Sequence, residues 1–345
     1  MDGMATVSDI IKMIATLSDK EKDELRFALT NGQPIPYSVN ELATDNRFAN
    51  GRVCPLCGSI HVVRNGHHAD GTQRYLCRDC KKSFVATTNS VVSGTRKSLS
   101  VWERYICCMM LGLSIRKSAE ACGIHRNTAF YWRHKILDAL RSVSDGVKLE
   151  GIVEMDETFF PVSYKGNHKN SKSFKMPREP HLRGGETHKR GLSREQVCAP
   201  CAVDRNGDSL AKASNLGRVS TKNIHAVFDD KIDSDSTVVT DKMNSYVRFA
   251  HSCDLDLVQV KNGRGKKGIY DLQHINSYHS KLKKFMAKFN GVSTKHLNNY
   301  LAWSGFVNYA KETDDEKRNE LLSIILTVPM RSVCREISSR SPLPA

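Results

Sequence analysis

The chain has 345 residues, 39% of them hydrophobic, and 52 Lys and Arg against 37 Asp and Glu leave a formal net charge of +15. That length implies two or three domains, and a positive excess spread over several regions points to a polyanionic partner, nucleic acid first. No apolar run reaches the roughly 18–20 residues needed to cross a bilayer, and the N-terminus shows no signal-peptide pattern, so the expectation is a cytoplasmic protein with no membrane partner.

Residues 5–30 place Ile10, Ile11, Ile14, Leu17, Leu25, Phe27, Ala28 and Leu29 at helical spacing, with Ser18 and Glu21 in a capping-box arrangement. They read as a short helical hairpin. Pro34, Pro36 and polar neighbours mark residues 31–50 as a linker, so 1–50 is taken as hairpin plus linker.

Residues 51–90 hold Cys54, Cys57, Cys77 and Cys80 in a CxxC…CxxC pattern with 19 residues between the pairs. Two residues between cysteines let both sulfurs of a tight turn face one ion, and the spacer suffices for a strand, a turn and a return. This reads as a zinc ribbon with one structural zinc, too small to fold without its ion. Arg64 and Arg74, with His67, His68, Lys81 and Lys82, favour DNA contact, against a purely structural or protein-contact role. Cys107, Cys108, Cys122, Cys253 and Cys334 read as small hydrophobes in a reducing compartment.

Residues 95–145 read as a helix-turn-helix. Trp102, Tyr105, Ile106, Met109 and Met110 form the apolar stripe of a first helix, and Gly123 sits at a turn where positive φ is wanted. The next helix, from about Arg126 to Arg141, begins with His125, Arg126, Asn127 and Tyr131 where a recognition helix meets bases.

From residue 150 the pattern turns to strands alternating with helices. Strands are expected at 151–155, 197–203, 209–213, 237–240 and 255–260, with a hairpin turn at 205–208. Helices are expected at 221–228, 244–251, 272–289 and 294–310. A basic insert, residues 161–196, carries nine Lys and Arg against three Glu and reads as a loop that orders on DNA. A second basic loop holds Arg264, Lys266 and Lys267. Residues 311–345 read as a C-terminal tail.

Asp156 and Asp241 are each expected to end a strand, where carboxylates are held rigidly beside a crevice. If those strands are neighbours, both can hold divalent ions for phosphoryl transfer. Asn276, His279 and Lys283 share one face of the following helix. Glu157 is expected to point away from Asp156. Cys198 and Cys201 repeat the CxxC spacing but have no second pair, so no second zinc site is expected.

These pieces together resemble bacterial insertion-sequence transposases of the ISXO-like group. The similarity lies in the two cysteine pairs, Met155–Phe159, Val203–Gly207, Val239–Asp241, His274–Lys283, Phe289–Leu297 and Tyr300–Trp303, and spans about residues 50–310. The resemblance implies a multidomain α+β protein: zinc ribbon, helix-turn-helix, and an α/β RNase-H-like mixed-sheet catalytic domain over 150–310. It implies a DDE-type enzyme that binds terminal inverted repeats of double-stranded DNA, cleaves the ends and joins them to target DNA. Two Mg²⁺ or Mn²⁺ ions, a homodimer or larger synaptic complex, and a bacterial, nucleoid-associated location go with it. Asp156 and Asp241 match the first two carboxylates. The third position, commonly Glu, is His279 here, a DDH variant; Lys283 would meet a phosphate and Asn276 flanks the site. The rival readings are a DNA-binding regulator or inactive relic, and a structure-selective nuclease on the same core.

Overall fold

A computed structural model describes residues 13–14, 16–17, 39–166, 196–261 and 265–341. Almost all of the hairpin expected at 5–30, residues 167–195 of the basic insert, and Arg264 lie outside the described residues.

The first described element is helix α1 (Val39–Phe48). It takes up half of the expected linker. Val39, Leu42 and Phe48 pack against a core that contains buried Ala43, which is the spacing of one helical face.

The ribbon is a three-stranded antiparallel sheet, β1 (Val62–His67), β2 (Gln73–Cys77) and β3 (Ser83–Val85). Its own core is small: Cys54, Val62, Tyr75, Cys77 and Phe84.

Three helices follow: α2 (Leu99–Met110), α3 (Ile115–Ala121) and α4 (Arg126–Ser144). Ser114 caps α3 by accepting from the Lys117 N–H at 3.3 Å. Gly123 takes φ +60° in the turn to α4. Trp102 of α2 stacks on Trp132 of α4 with centroids 3.6 Å apart.

The main sheet contains β4 (Ile152–Pro161), β5 (Gln196–Asp204), β6 (Ser209–Ala211), β7 (Asn215–Leu216), β8 (Thr237–Thr240) and β9 (Asp256–Gln259). Its order is β6-β5-β4-β8-β9, with β7 also paired to β5. Strands β4, β5 and β6 are antiparallel; β8 and β9 run parallel to β4. The β5–β6 turn is built by Asp204, whose Oδ1 accepts from the N–H groups of Asn206, Gly207 and Asp208 at 2.9–3.0 Å.

Helices α5 (Thr221–Phe228) and α6 (Asn244–Ser252) share a core with one face of the sheet. On the other face lie α7 (Gln273–Ala287) and α8 (Leu297–Asn308), the latter preceded by a 3₁₀ turn at Thr294–His296. Both α7 and α8 are buried on two sides: Ile275, Leu282, Leu297 and Leu301 face the sheet, while Phe285, Tyr300 and Trp303 join the core of α2 and α4.

The expected tail is instead helical. Helix α9 (Asp314–Thr327) opens with a Thr313–Glu316 capping box and buries Leu321, Leu322, Ile324 and Ile325 in the core of α2 and α4. Fully burying each such side chain is worth about 2 kcal/mol. A last helix, α10 (Cys334–Ser339), lies against α4.

Candidate active site

Strand β4 is ten residues long, so Asp156 sits inside it rather than at its end. The polar run Asp-Glu-Thr looks like a terminator in the sequence, yet β5 pairs with β4 as far as Pro161. Asp241 does follow the last residue of β8. The parallel register sets Met155 against Thr240, so the next residue on each strand, Asp156 and Asp241, lie side by side.

Alternation along β4 fixes which face each side chain uses. Val153 and Met155 join the core of α5 and α6. Glu154 and Asp156 therefore face α7. Asp156 Oδ2 lies 3.8 Å from His279 Nδ1 on that helix. Lys283, one turn further and exposed, adds its charge to the site. Burial and the neighbouring Asp241 push the Asp156 carboxyl up to about 6, with Lys283 opposing. Burial and Lys283 bring the His279 imidazole down to about 4, so it is neutral at ordinary pH. Its Nε2 is buried without a hydrogen-bond partner among the described residues, as is the Thr158 hydroxyl two residues beyond Asp156 on β4.

Glu157 points away from Asp156, beside Tyr246. Burial, then Asp156, raise it to about 7. Asn276 is exposed. Glu154 escaped the sequence reading. It is fully buried, and its carboxylate accepts from His274 Nδ1 at 2.7 Å and the Ile275 N–H at 3.0 Å. The period-two spacing to Asp156 was the available signal.

In the ribbon, Sγ atoms of Cys54 and Cys80 are 3.8 Å apart and those of Cys57 and Cys77 are 3.6 Å apart. Tetrahedral zinc with Zn–S of about 2.3 Å requires S–S near 3.8 Å. All four donor atoms lie within 4.8 Å of one another, so the residues fit a structural zinc. The backbone repeats around both pairs: Gly58 and Lys81, each following a second cysteine, take φ +76° and +58°. Cys198 and Cys201 belong to cores on opposite faces of the sheet and do not share an ion.

Among the expected DNA contacts, Arg64, His125, Arg126, Asn127, Lys266 and Lys267 are exposed, and Arg74 is half-buried. Arg74 also approaches Ser83 Oγ at 3.4 Å. His125 caps α4, its Nδ1 accepting from the Asn127 N–H at 3.2 Å. Tyr131 is turned to α10, its hydroxyl 3.1 Å from Ser338 Oγ. Lys165, counted in the basic insert, donates to the carbonyls of Phe289, Asn290 and Gly291 beyond the end of α7.

No helix among the described residues is long and apolar enough to cross a membrane. Residues 148–306 match the ISXO2-like transposase domain, and residues 53–81 match the InsA N-terminal domain, a zinc ribbon. A protein of Halobacterium salinarum described as an uncharacterized protein in transposable element ISH50 is 26% identical over 277 residues, covering 78% of this chain and 90% of that protein. A chain of a pre-cleavage Mos1 transpososome aligns over 66% of this chain and 78% of its own length, at 9% identity and a TM-score of 0.19. An ISXO2-like transposase domain behind an InsA-type ribbon is the arrangement to which these regions are similar, and it is consistent with an insertion-sequence transposase.

Proposed function

We propose that the protein binds the ends of its own element, cleaves them and joins them to target DNA, using Asp156, Asp241 and His279 as a DDH set of metal ligands. One observation carries this reading: Asp156 and Asp241 are level on adjacent parallel strands, and His279 Nδ1 lies 3.8 Å from Asp156 Oδ2. The sheet supports an RNase-H-like core, with three antiparallel strands followed by two parallel ones and Asp156 on the central strand.

The donor chemistry suits Mg²⁺ or Mn²⁺. Burial, and after it the neighbouring Asp241, hold a proton on Asp156 that a cation would displace, and a buried imidazole kept neutral is in its ligating form. When bound, two such ions activate the attacking oxygen and stabilise the leaving oxygen. The chain's own contribution is position. Strand β4 fixes Asp156, β8 delivers Asp241 beside it, and α7 sets His279 across from both. Lys283 is placed to meet the phosphate at the rim.

Helices α2–α4 act as a helix-turn-helix, with exposed Arg126 and Asn127 at the start of α4 aimed at bases. Arg64 and Arg74 of the ribbon, with Lys266 and Lys267, supply phosphate contacts. Pairing two ends calls for a dimer or larger complex.

The test incubates the protein in Mg²⁺ or Mn²⁺ with a labelled element end and a supercoiled target plasmid. End cleavage followed by joining supports the proposal. Cleavage of junctions or hybrids without joining would favour a nuclease. Tight end binding without any cleavage would favour a regulator or inactive relic.

A further inference from the structure

Glu154 has a place in this site that its burial alone does not explain. Its side chain is 1% exposed, and both carboxylate oxygens are used on the first turn of α7. Oε1 accepts from His274 Nδ1 at 2.7 Å and Oε2 from the Ile275 N–H at 3.0 Å; an Arg205 guanidinium nitrogen lies 4.0 Å from Oε1. Ile275 is the third residue of α7, and Leu272 at the helix start supplies no side-chain cap. The first N–H groups of a helix lack intrahelical partners and carry partial positive charge. Glu154 satisfies one of them from across the layer boundary, from the sheet.

Two residues along β4, on the same face, stands Asp156. Four residues along α7 from Ile275 stands His279, 3.8 Å from Asp156. Two strand residues rise about 6.6 Å and four helical residues about 6 Å, so the two contacts form matched rungs between strand and helix. A slip of α7 by one residue would move His279 about 1.5 Å and turn it by about 100°.

We propose that Glu154 is the positioning residue for His279: by anchoring the start of α7 to β4, it holds the imidazole in register with Asp156. The proposal rests on the reading of His279 as a metal ligand and adds the residue that aims it. His274 is on this account the side-chain half of the anchor and not a ligand.

The test is a double-mutant cycle between Glu154 and His279 in the full chain. It is read by Mn²⁺ affinity in calorimetry without DNA and by kcat for end cleavage. Residues that orient a metal ligand are worth about 10- to 100-fold in affinity or activity, so Glu154→Ala should lose that much in both readouts. Its Kd for end DNA should stay within about twofold, since catalysis and end binding use different surfaces. Glu154→Gln keeps an acceptor for the Ile275 N–H and should recover part of the loss; it also serves if the alanine variant folds poorly. In a His279→Ala background neither Glu154 substitution should cost anything further, because effects routed through one group do not add. Equal losses in both backgrounds would overturn the positioning role while leaving His279 as a ligand. If His279→Ala itself leaves Mn²⁺ affinity and kcat unchanged, the ligand reading fails, and the positioning role fails with it.

Discussion

At the scale of single residues, the site trades stability for chemistry. The Asp156 carboxyl is raised from an ordinary value near 3.9 to about 6 by burial and by Asp241. The sign follows from proton linkage. In the absence of Mg²⁺ or Mn²⁺ the folded state holds the proton more tightly, so this group's stabilising contribution is complete below about pH 4. It is lost as pH rises through about 6. Asp156→Asn removes the ionisation. It is expected to raise the thermal midpoint at pH 8 without added divalent ions by an amount corresponding to about 1–2 kcal/mol, to have little effect at pH 4, and to abolish cleavage. Calorimetry of both proteins at the two pH values checks this. Both aspartates and His279 were candidates in the sequence because strand-end and i,i+4 spacings are local. The sequence did not show Glu154, whose partners are 120 and 121 residues away, nor that Asp156 lies mid-strand, which depends on pairing with β5.

At the scale of elements, two devices hold the outlying parts. The ribbon has five residues in its own buried cluster, two of them cysteines. Removing zinc should therefore melt it. Chelation is expected to release one zinc per chain and to expose residues 51–85 to hydrogen exchange, while the amides of β4, β5 and β8 stay protected. The second device is at the C-terminus. Arg340 donates to both oxygens of buried Asp138 on α4 at 2.6 and 2.7 Å. Asn299 of α8 and Ser332 complete the carboxylate's partners at 2.8 and 2.6 Å. Arg340→Ala leaves Asp138 buried with its charge uncompensated, which should cost about 3–5 kcal/mol. Denaturant unfolding measures it, and adding Asp138→Asn should recover part of the loss. The capping box at Thr313 and the apolar run after it were visible signals for α9. The tie from Arg340 to Asp138 was not, because it joins residues 202 positions apart.

At the scale of the whole molecule, the segments read as successive domains are joined through one core. Helices α1–α4 share a buried cluster with Phe285 of α7, Trp303 of α8 and the apolar face of α9. Arg133 of α4 is buried over the Trp303 ring at 5.3 Å, and it donates to the Leu113 carbonyl at 2.7 Å. The short link after α4 is fixed too: Leu149 is fully buried and its N–H donates to the Lys231 carbonyl at 2.8 Å. Residues 99–341 are therefore expected to unfold in a single calorimetric transition, with calorimetric and van't Hoff enthalpies agreeing. A first transition confined to α2–α4 would contradict this. Element types from β4 to α8 were legible from periodicity, since each alternates or repeats within a short window. The shared core was not, because α7 and α8 are apolar on two sides and periodicity alone does not say what each side meets.

The most direct measurement is end cleavage in Mg²⁺ and Mn²⁺ by the wild-type protein, Asp241→Asn, His279→Ala and His279→Glu. Wild type should cleave, Asp241→Asn should not, and His279→Ala should be slower by at least about 100-fold. Glutamate at 279 should retain activity, since it also supplies a ligand atom. Undiminished cleavage by His279→Ala would remove His279 from the metal site, and undiminished cleavage by Asp241→Asn would contradict the account as a whole.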